Sequence, residues 1–171
     1  FDDARTLPDG SRIEADLLII GAGAAGTTIA SEFTGQARRV VVVEGGGIAY
    51  QSATQKLYRG TSIGHHYEPL DLCRVRMFGG STDPRRWGGW CKPLAGIDFE
   101  VRPWVPLSGW PLSKKDLDPF YQRALGTLGL PADVEAMAAV DARSADVLTL
   151  EGPMVITEPC PLSPTPHLGH V

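Results

Sequence analysis

The chain has 171 residues, of which 43% are apolar and 21% are charged, and its formal net charge at pH 7 is -4. This composition is typical of a folded globular domain and argues against a nucleic-acid-binding protein, which would carry an excess of basic residues. No apolar run reaches the length of a transmembrane helix and no signal-peptide pattern opens the chain, so we expect a cytoplasmic protein. Three cysteines without C-x-x-C spacing favour reduced thiols over a disulfide framework or a zinc site.

The first predicted element is a strand that runs into a glycine-rich turn. Residues 17–20 are Leu-Leu-Ile-Ile, which is typical of a buried parallel strand, and the G-x-G-x-x-G that follows opens a predicted helix reaching Phe33. In such a unit the first glycine permits the turn, the second lets the backbone approach a pyrophosphate, and the third lets helix and strand pack closely. The helix N-terminus then favours an anion. The expected phosphate-binding residues are Gly21, Gly23, Ala24, Ala25 and Gly26.

An acidic residue, Glu44, follows the second predicted strand at 40–43. At this position a carboxylate can accept hydrogen bonds from a ribose 2'-hydroxyl. A glycine-rich turn in an ordinary α/β unit is the alternative interpretation, but it does not explain why an acid follows the strand. The pattern therefore predicts dinucleotide binding. Because the carboxylate would repel the extra phosphate of NADP, the pattern leaves NAD or FAD as the cofactor.

Only these two parallel strands are predicted for the sheet. After residue 44, glycine and proline, which number 20 and 14 in the chain, interrupt nearly every periodic run, and no second strand-helix-strand crossover is evident. The predicted fold class is α/β with an incomplete parallel sheet. A four-valine strand without a neighbour would be prone to aggregate, so we expect the missing strands to come from another polypeptide.

Residues 51–70 show no helical or strand periodicity and predict an irregular loop. His65 and His66 lie in this loop as candidate site groups, because histidine titrates near neutral pH. Adjacent histidines rarely ligate one metal, and no third ligand is near them in the sequence. We therefore interpret both as surface or structural residues and predict no metal site.

A second informative stretch runs from Arg74 to Lys92. It carries five basic residues against one acidic residue, which predicts a local anion site. Its paired glycines at 79–80 and 88–89 let backbone amides come close to a flat or phosphorylated ligand, and Trp87 and Trp90 are candidates for the walls of such a site. A basic, glycine-rich surface loop is the alternative interpretation of the same residues.

Taken together, these motifs resemble the glucose-methanol-choline flavoprotein oxidoreductases, in particular the bacterial branch of sugar and polyol dehydrogenases that includes pyranose-oxidase-like enzymes. The resemblance includes Leu7-Pro-Asp-Gly10, Gly21-Ala-Gly-Ala-Ala-Gly26, Glu44-Gly-Gly46, Arg74-x-Arg-x-x-Gly-Gly-Ser-Thr82 and Trp87-Gly-Gly-Trp-Cys91. It continues through Phe99-Glu100, Trp104-Val-Pro106, Ser108-Gly-Trp-Pro111 and Asp116-Leu117. It implies a Rossmann-like FAD-binding domain followed by the start of an α+β substrate domain.

The resemblance also implies an FAD-dependent oxidoreductase, either an oxidase or a dehydrogenase. Such an enzyme oxidises an alcohol group of a sugar, glycoside or polyol by hydride transfer to the flavin, and its Gly-Gly-Ser-Thr segment lies along the flavin. The cofactor-binding residues that the resemblance adds are Gly45, Arg74, Gly79, Gly80, Ser81, Thr82, Arg86, Trp87, Gly88, Gly89, Trp90 and Cys91. An NAD-dependent oxidoreductase fragment and a non-catalytic dinucleotide-binding module are the alternative functions.

The sequence departs from the family where some relatives bind flavin covalently. In many relatives a histidine precedes the tryptophan and in some it bonds to the flavin, whereas here the residue before Trp87 is Arg86. A guanidinium cannot form that bond, so we predict non-covalent FAD. Arg86 either points outward or faces the flavin as a fixed cation that favours its anionic reduced form. No residue matches the family's catalytic histidine, which we expect outside this chain.

The later part of the chain predicts packing elements. We interpret Trp104 and Trp110 as core residues rather than as stacking surfaces for a sugar. Ser113 and Asp116 fit a capping box, and Asp118-Pro119 fits a second helix start, with the helix ending near Leu128. Short strands are predicted at 147–150 and 154–157.

The sequence thus predicts three regions. Residues 1–112 form the FAD-binding portion, residues 113–157 the packing helix and the start of the substrate domain, and residues 158–171 a truncated return segment toward the FAD-binding portion. The expected partner is a second polypeptide that carries the remaining sheet, the substrate domain and the catalytic histidine. The other expected partner is the small-molecule sugar, glycoside or polyol, and we expect no nucleic-acid or membrane partner.

Overall fold

A computed structural model of the chain describes residues 1–82 and 93–130. The strands expected at 147–150 and 154–157 and the return segment 158–171 lie outside the described residues. The described residues belong to two compact units, the first formed by Phe1–Ser81 and the second beginning at Thr82. None of the helices in these ranges combines the length and the apolarity needed to cross a bilayer.

The first unit contains a two-stranded parallel sheet, and the fold class is mixed α/β, as predicted. Both predicted strands are confirmed, and one helix connects them. The elements are β1 Leu17–Ile20, α1 Ala24–Glu32, β2 Val40–Val43, α2 Ser52–Gln55 and α3 Leu70–Cys73, with 3-10 turns at Ala4–Thr6 and Lys56–Tyr58. A further 3-10 turn, Gly80–Thr82, ends on the first residue of the second unit. Further strands that would extend the sheet are not among the described residues.

Polar contacts join the two strands at their N-terminal ends. The strands lie in register from Leu17 opposite Val40 onward. At the start, the Asp16 carboxylate accepts the N–H of Arg39 at 2.7 Å, and the Asp16 N–H donates to the Arg39 carbonyl at 2.9 Å. These contacts satisfy backbone groups that the short ladder leaves unpaired.

One face of this sheet is covered and the other is open. Ile19 is buried beneath α1, whereas Leu18 and Ile20, whose side chains alternate with it, are 57% and 84% exposed. Val43 pairs with Ile20 on the same face and is 50% exposed. The described part of the chain thus leaves a contiguous apolar surface uncovered, of the kind that marks contacts with other protein, a membrane or a ligand.

Beyond β2, the chain is not wholly irregular, which corrects the expectation for residues 51–70. α2 and the 3-10 turn that follows it form two consecutive helical turns before the irregular residues from Arg59 onward. A single helical turn is too short to show a hydrophobic period, so periodicity cannot predict it. His65 and His66 are exposed, as predicted. The described residues include no cluster of three or more side chains suited to a metal ion.

The second unit contains a 3-10 turn at Gly96–Phe99 and helix α4, Lys114–Thr127. The predicted capping box is confirmed, and Leu128 caps the end of the helix. The second helix start at Asp118-Pro119 is wrong, because α4 is continuous and Pro119 lies inside it. The proline has no N–H, so the helix lacks one backbone hydrogen bond at this point. The helix begins at the Ser113 cap, five residues earlier than Pro119 would place it.

The prediction that Trp104 and Trp110 fill a core is wrong, because they are 75% and 59% exposed. Hydrogen bonds of the Ser108 side chain close the loop that carries them. The Ser108 hydroxyl accepts the N–H of Arg102 at 2.8 Å and donates to its carbonyl at 3.0 Å. These bonds hold the turn without burying either indole ring.

The cap of α4 predicts a dependence on pH. The Asp116 carboxylate accepts the backbone N–H and the hydroxyl of Ser113, both at 2.8 Å, and these hydrogen bonds hold the pKa of Asp116 below its ordinary value of 3.8. Because the folded-state pKa is lowered, the cap contributes stability above pH 3.8 and loses it as the pH falls through the folded-state value. A carbon-13 titration of the side chain should give a midpoint below 3.8, and Ser113→Ala should raise that midpoint. An unshifted midpoint would contradict the cap.

Candidate functional site

The glycine turn between β1 and α1 is tightly constrained at its first and third glycines. Gly21 has a φ of +99°, which side chains rarely adopt, and its N–H donates to the Val43 carbonyl at 2.7 Å. A Cβ at Gly26 would overlap the Gly21 carbonyl oxygen and would lie 3.2 Å from Ile19 Cγ2. Glycine is therefore required at Gly21 by its backbone conformation and at Gly26 by the packing of α1 against the turn.

Gly23, the middle glycine, is not required by packing. Its φ of -77° and ψ of -174° are open to any residue, and a Cβ there would meet no heavy atom of the described residues within 4 Å. Helix α1 begins immediately after it, and no described side chain caps this helix end. The amides of Ala24 and Ala25 belong to the first turn of this helix, where amides lack partners within the helix, and the positive end of the helix dipole there suits a phosphate.

The Glu44 carboxylate lies at this turn. Its Oε2 accepts the N–H of Ala22 at 2.8 Å, and its Oε1 accepts the N–H of Gly46 at 2.8 Å. The side chain is half-buried. A carboxylate offers about four lone-pair sites, so each oxygen keeps the capacity to accept one further hydrogen bond from a ligand hydroxyl. The acid that the sequence places after β2 is therefore held at the glycine turn by two backbone amides.

The Gly79–Gly80 pair reaches the same turn from a distant part of the chain. The N–H of Gly79 donates to the Ala22 carbonyl at 2.8 Å. A Cβ at Gly80 would lie 3.2 Å from the Cα of Gly23, which is closer than most side chains tolerate. The two glycine-rich segments, distant in sequence, thus pack directly against each other.

Arg76 covers the residues that follow Glu44. Its Nε donates to the Gly45 carbonyl at 3.0 Å, and its guanidinium carbon lies 5.2 Å from the centroid of the Tyr58 ring, a cation-π arrangement. A Cβ at Gly45 would collide with this guanidinium, and one at Gly46 would collide with the Arg76 backbone. Glycine is therefore required at Gly46, where the obstacle is backbone, whereas a side chain at Gly45 would have to displace the Arg76 guanidinium.

The Gln55 side chain forms hydrogen bonds with the backbone of residues 71–76, the segment that carries Arg76. It is 5% exposed and is the buried polar residue of the described part of the chain. Its Nε2 donates to the carbonyls of Asp71 and Arg74 at 2.8 and 2.6 Å, and its Oε1 accepts the N–H of Arg76 at 2.9 Å. Three backbone groups that have no ladder partner are satisfied by this one side chain.

These groups define what the site can bind. The first turn of α1 offers amide donors to an anion, and the Glu44 carboxylate offers only acceptors, which require hydroxyl or amine donors on the ligand. A molecule that joins a phosphate to a hydroxylated ring matches both requirements. The open space at Gly23 lets such a molecule approach the backbone closely.

The structure brings together most of the predicted residues that it describes. Those gathered at the glycine turn are Gly21, Gly23, Ala24, Ala25, Gly26, Glu44, Gly45, Gly79 and Gly80. Ser81 instead uses its hydroxyl to accept the N–H of Val75 at 3.1 Å, and the Arg74 side chain is exposed. Thr82 ends the last 3-10 turn of the segment. Arg86, Trp87, Gly88, Gly89, Trp90 and Cys91 lie outside the described residues.

Two residues of this site are missing from the set predicted by sequence. Arg76 belongs to the basic stretch, and the adjacent glycines at 45–46 were a signal that something approaches the backbone there. Gln55 carried no signal, because all its partners are backbone atoms and their proximity depends on the tertiary fold.

Comparisons of the chain with protein-family models, with curated proteins and with solved structures gave no match.

Proposed function

We propose that this chain binds FAD non-covalently and forms the N-terminal, FAD-binding part of an oxidoreductase of the glucose-methanol-choline type. The complete enzyme would oxidise an alcohol group of a sugar, glycoside or polyol by hydride transfer to the flavin. The proposal depends chiefly on one observation. The Glu44 carboxylate and the Gly79–Gly80 pair both lie at the glycine turn in front of α1.

The geometry of the turn suits the ADP half of the cofactor. The amides at the start of α1 would bind the pyrophosphate, and the absence of a side chain at Gly23 would let the phosphates approach. Glu44 would accept hydrogen bonds from the ribose hydroxyls with the lone pairs that Ala22 and Gly46 leave unused. Its negative charge disfavours a 2'-phosphate, so NADP is a poorer match than FAD.

The second glycine pair supports FAD over NAD. Gly79 and Gly80 belong to the Arg74-x-Arg-x-x-Gly-Gly-Ser-Thr82 motif, whose Gly-Gly-Ser-Thr segment lies along the flavin in the family that the sequence resembles. Gly79 donates to the Ala22 carbonyl, and Gly80 lies close to Gly23. This arrangement suits a cofactor whose flavin half continues from the glycine turn along residues 79–82. When bound, the flavin would supply the acceptor for the hydride.

We further propose that a second polypeptide completes the enzyme. The open sheet face, where Leu18, Ile20 and Val43 are exposed, gives such a partner an apolar surface to cover. The partner would also supply the remaining strands, the substrate domain and the catalytic histidine. The residues of this chain would then bind and orient the cofactor, while proton removal from the substrate hydroxyl occurs on the partner.

An absorption spectrum of the purified chain, together with any polypeptide that copurifies, tests this proposal. We expect the visible bands of oxidised flavin, and release of all the flavin on denaturation, since no covalent bond is predicted. Anaerobic addition of sugars, glycosides and polyols should bleach the bands when the partner is present. A matched sample without added substrate controls for photoreduction.

Three results would contradict the proposal at different levels. A protein that stays colourless after incubation with FAD would refute flavin binding. Flavin that remains attached to the denatured chain would refute the non-covalent mode. A complex that holds flavin but is bleached by no alcohol of these classes would support the non-catalytic alternative.

A further inference from the structure

Gln55 is connected to the glycine turn by a continuous series of contacts. Its Oε1 accepts the N–H of Arg76, the Arg76 Nε donates to the Gly45 carbonyl, and the next amide, that of Gly46, donates to Glu44 Oε1. The other oxygen of Glu44 accepts from Ala22 in the turn. The buried amide of Gln55 and the carboxylate proposed to bind ribose are therefore joined through Arg76 and two glycines.

The packing around Arg76 makes this connection stiff. A Cβ on Gly46 would lie 2.6 Å from the Met77 Cα, so the backbone at 45–46 lies directly on the backbone at 76–77. An isolated parallel bridge between Gly47 and Met77, with a hydrogen bond from the Phe78 N–H to the Gly47 carbonyl at 2.9 Å, continues the contact. A displacement of Arg76 would therefore be transmitted to Gly46 and to the carboxylate that it holds.

Gln55 is suited to control the position of Arg76 because both donors of its amide and its oxygen are engaged in hydrogen bonds. The two N–H groups bind the carbonyls of Asp71 and Arg74, and the oxygen binds Arg76, so the side chain has one orientation that satisfies all three. At this buried position, a side chain without the two N–H donors would leave the carbonyls of Asp71 and Arg74 without these hydrogen bonds. The segment 71–76 would then shift away from Gly45.

We infer that Gln55 is a positioning residue for the dinucleotide site. It sets the position of the Glu44 carboxylate through Arg76 and the Gly45–Gly46 pair, and so controls recognition of the ribose 2'-hydroxyl. This inference rests on the proposed function, since it needs an adenine dinucleotide at the turn. It assigns to a residue outside the glycine motif a role in choosing between ligands with and without that hydroxyl.

The test compares ADP with 2'-deoxy-ADP, because the two probes differ only in the group that Glu44 would bind. Calorimetry on the full chain should show that the wild type prefers ADP by about tenfold or more, the value expected for a hydrogen bond to a charged group. In Gln55→Glu the preference should fall to about threefold or less, because the carboxylate cannot donate to the two carbonyls. Gln36→Glu, the same change on an exposed glutamine, should keep the full preference.

A second variant provides an independent test in case Gln55→Glu misfolds, which circular dichroism would show. Arg76→Lys keeps the backbone bond to Gln55 but loses the planar group that binds the Gly45 carbonyl and stacks on Tyr58, and it should lower the preference in the same direction. An unchanged ratio in both folded variants, even with weaker binding of both probes, would overturn the inference and leave FAD binding intact. A wild type without preference would overturn the inference together with the ribose-binding role proposed for Glu44, and would leave FAD binding itself intact. Failure of the wild type to bind ADP would overturn the proposed function as well.

Discussion

Gly26→Ala should lower the free energy of unfolding of the first unit by about 2 to 3 kcal/mol, the upper part of the usual range for overpacking. The added methyl group would overlap the Gly21 carbonyl oxygen and press against Ile19, one of the buried residues of the sheet. Relief would require α1 to move away from β1, and the turn would lose its geometry. Urea unfolding followed by circular dichroism measures the effect.

Gly126 provides a control for the general effect of alanine in a helix. It lies in α4, and a Cβ there would meet no heavy atom of the described residues within 4 Å. Gly126→Ala should therefore be neutral or should stabilise by about 0.5 to 1 kcal/mol. If Gly26→Ala behaved in the same way, the close contact between α1 and the turn would be disproved.

Gly23→Ala should leave stability nearly unchanged and weaken FAD binding by about tenfold or more, which corresponds to ~1.4 kcal/mol. The backbone at Gly23 is in a region open to alanine, and the methyl group would occupy the empty space in front of α1. A cofactor phosphate that approaches the helix amides would need that space. Quenching or recovery of flavin fluorescence during titration measures the dissociation constant.

Gly60→Ala is the matched control for this loss of binding. Gly60 lies in the same unit, and a Cβ there would also meet no heavy atom of the described residues within 4 Å. This variant should bind FAD as the wild type does. Equal affinities for Gly23→Ala, Gly60→Ala and the wild type would show that the phosphates do not approach Gly23. A strong loss of stability in Gly23→Ala would show that the space is not open.

The part of the fold from β1 to Glu44 was predictable because its signals are local. Apolar runs predict the two strands, and the spacing of Gly21, Gly23 and Gly26 predicts the turn between strand and helix. The same holds for the start of α4, where Ser113 and Asp116 stand three residues apart. In each case the interacting groups are close in sequence or belong to a recurrent unit.

The remainder of the site depends on contacts between segments that are distant in sequence. Gln55 forms hydrogen bonds with backbone atoms 16 to 21 residues further along the chain, and no sequence pattern predicts such a contact. The exposure of Trp104 was missed for a related reason. Its loop is closed by the hydroxyl of Ser108, a local polar bond that a hydrophobicity argument does not consider.

The hydrogen bonds of Asp16 and Glu44, at the two ends of the strand pair, also determine the register of β2 against β1. β2 consists of four identical valines, so sliding it along β1 would exchange one valine for another and the side chains alone could not select an alignment. Asp16 binds Arg39 at one end, and Glu44 binds Ala22 at the other, so only one alignment satisfies both carboxylates. A slip of one residue would move Glu44 about 3.3 Å along the strand, out of hydrogen-bonding distance of the turn. The residue proposed to recognise the ribose thus also aligns the strands that carry it.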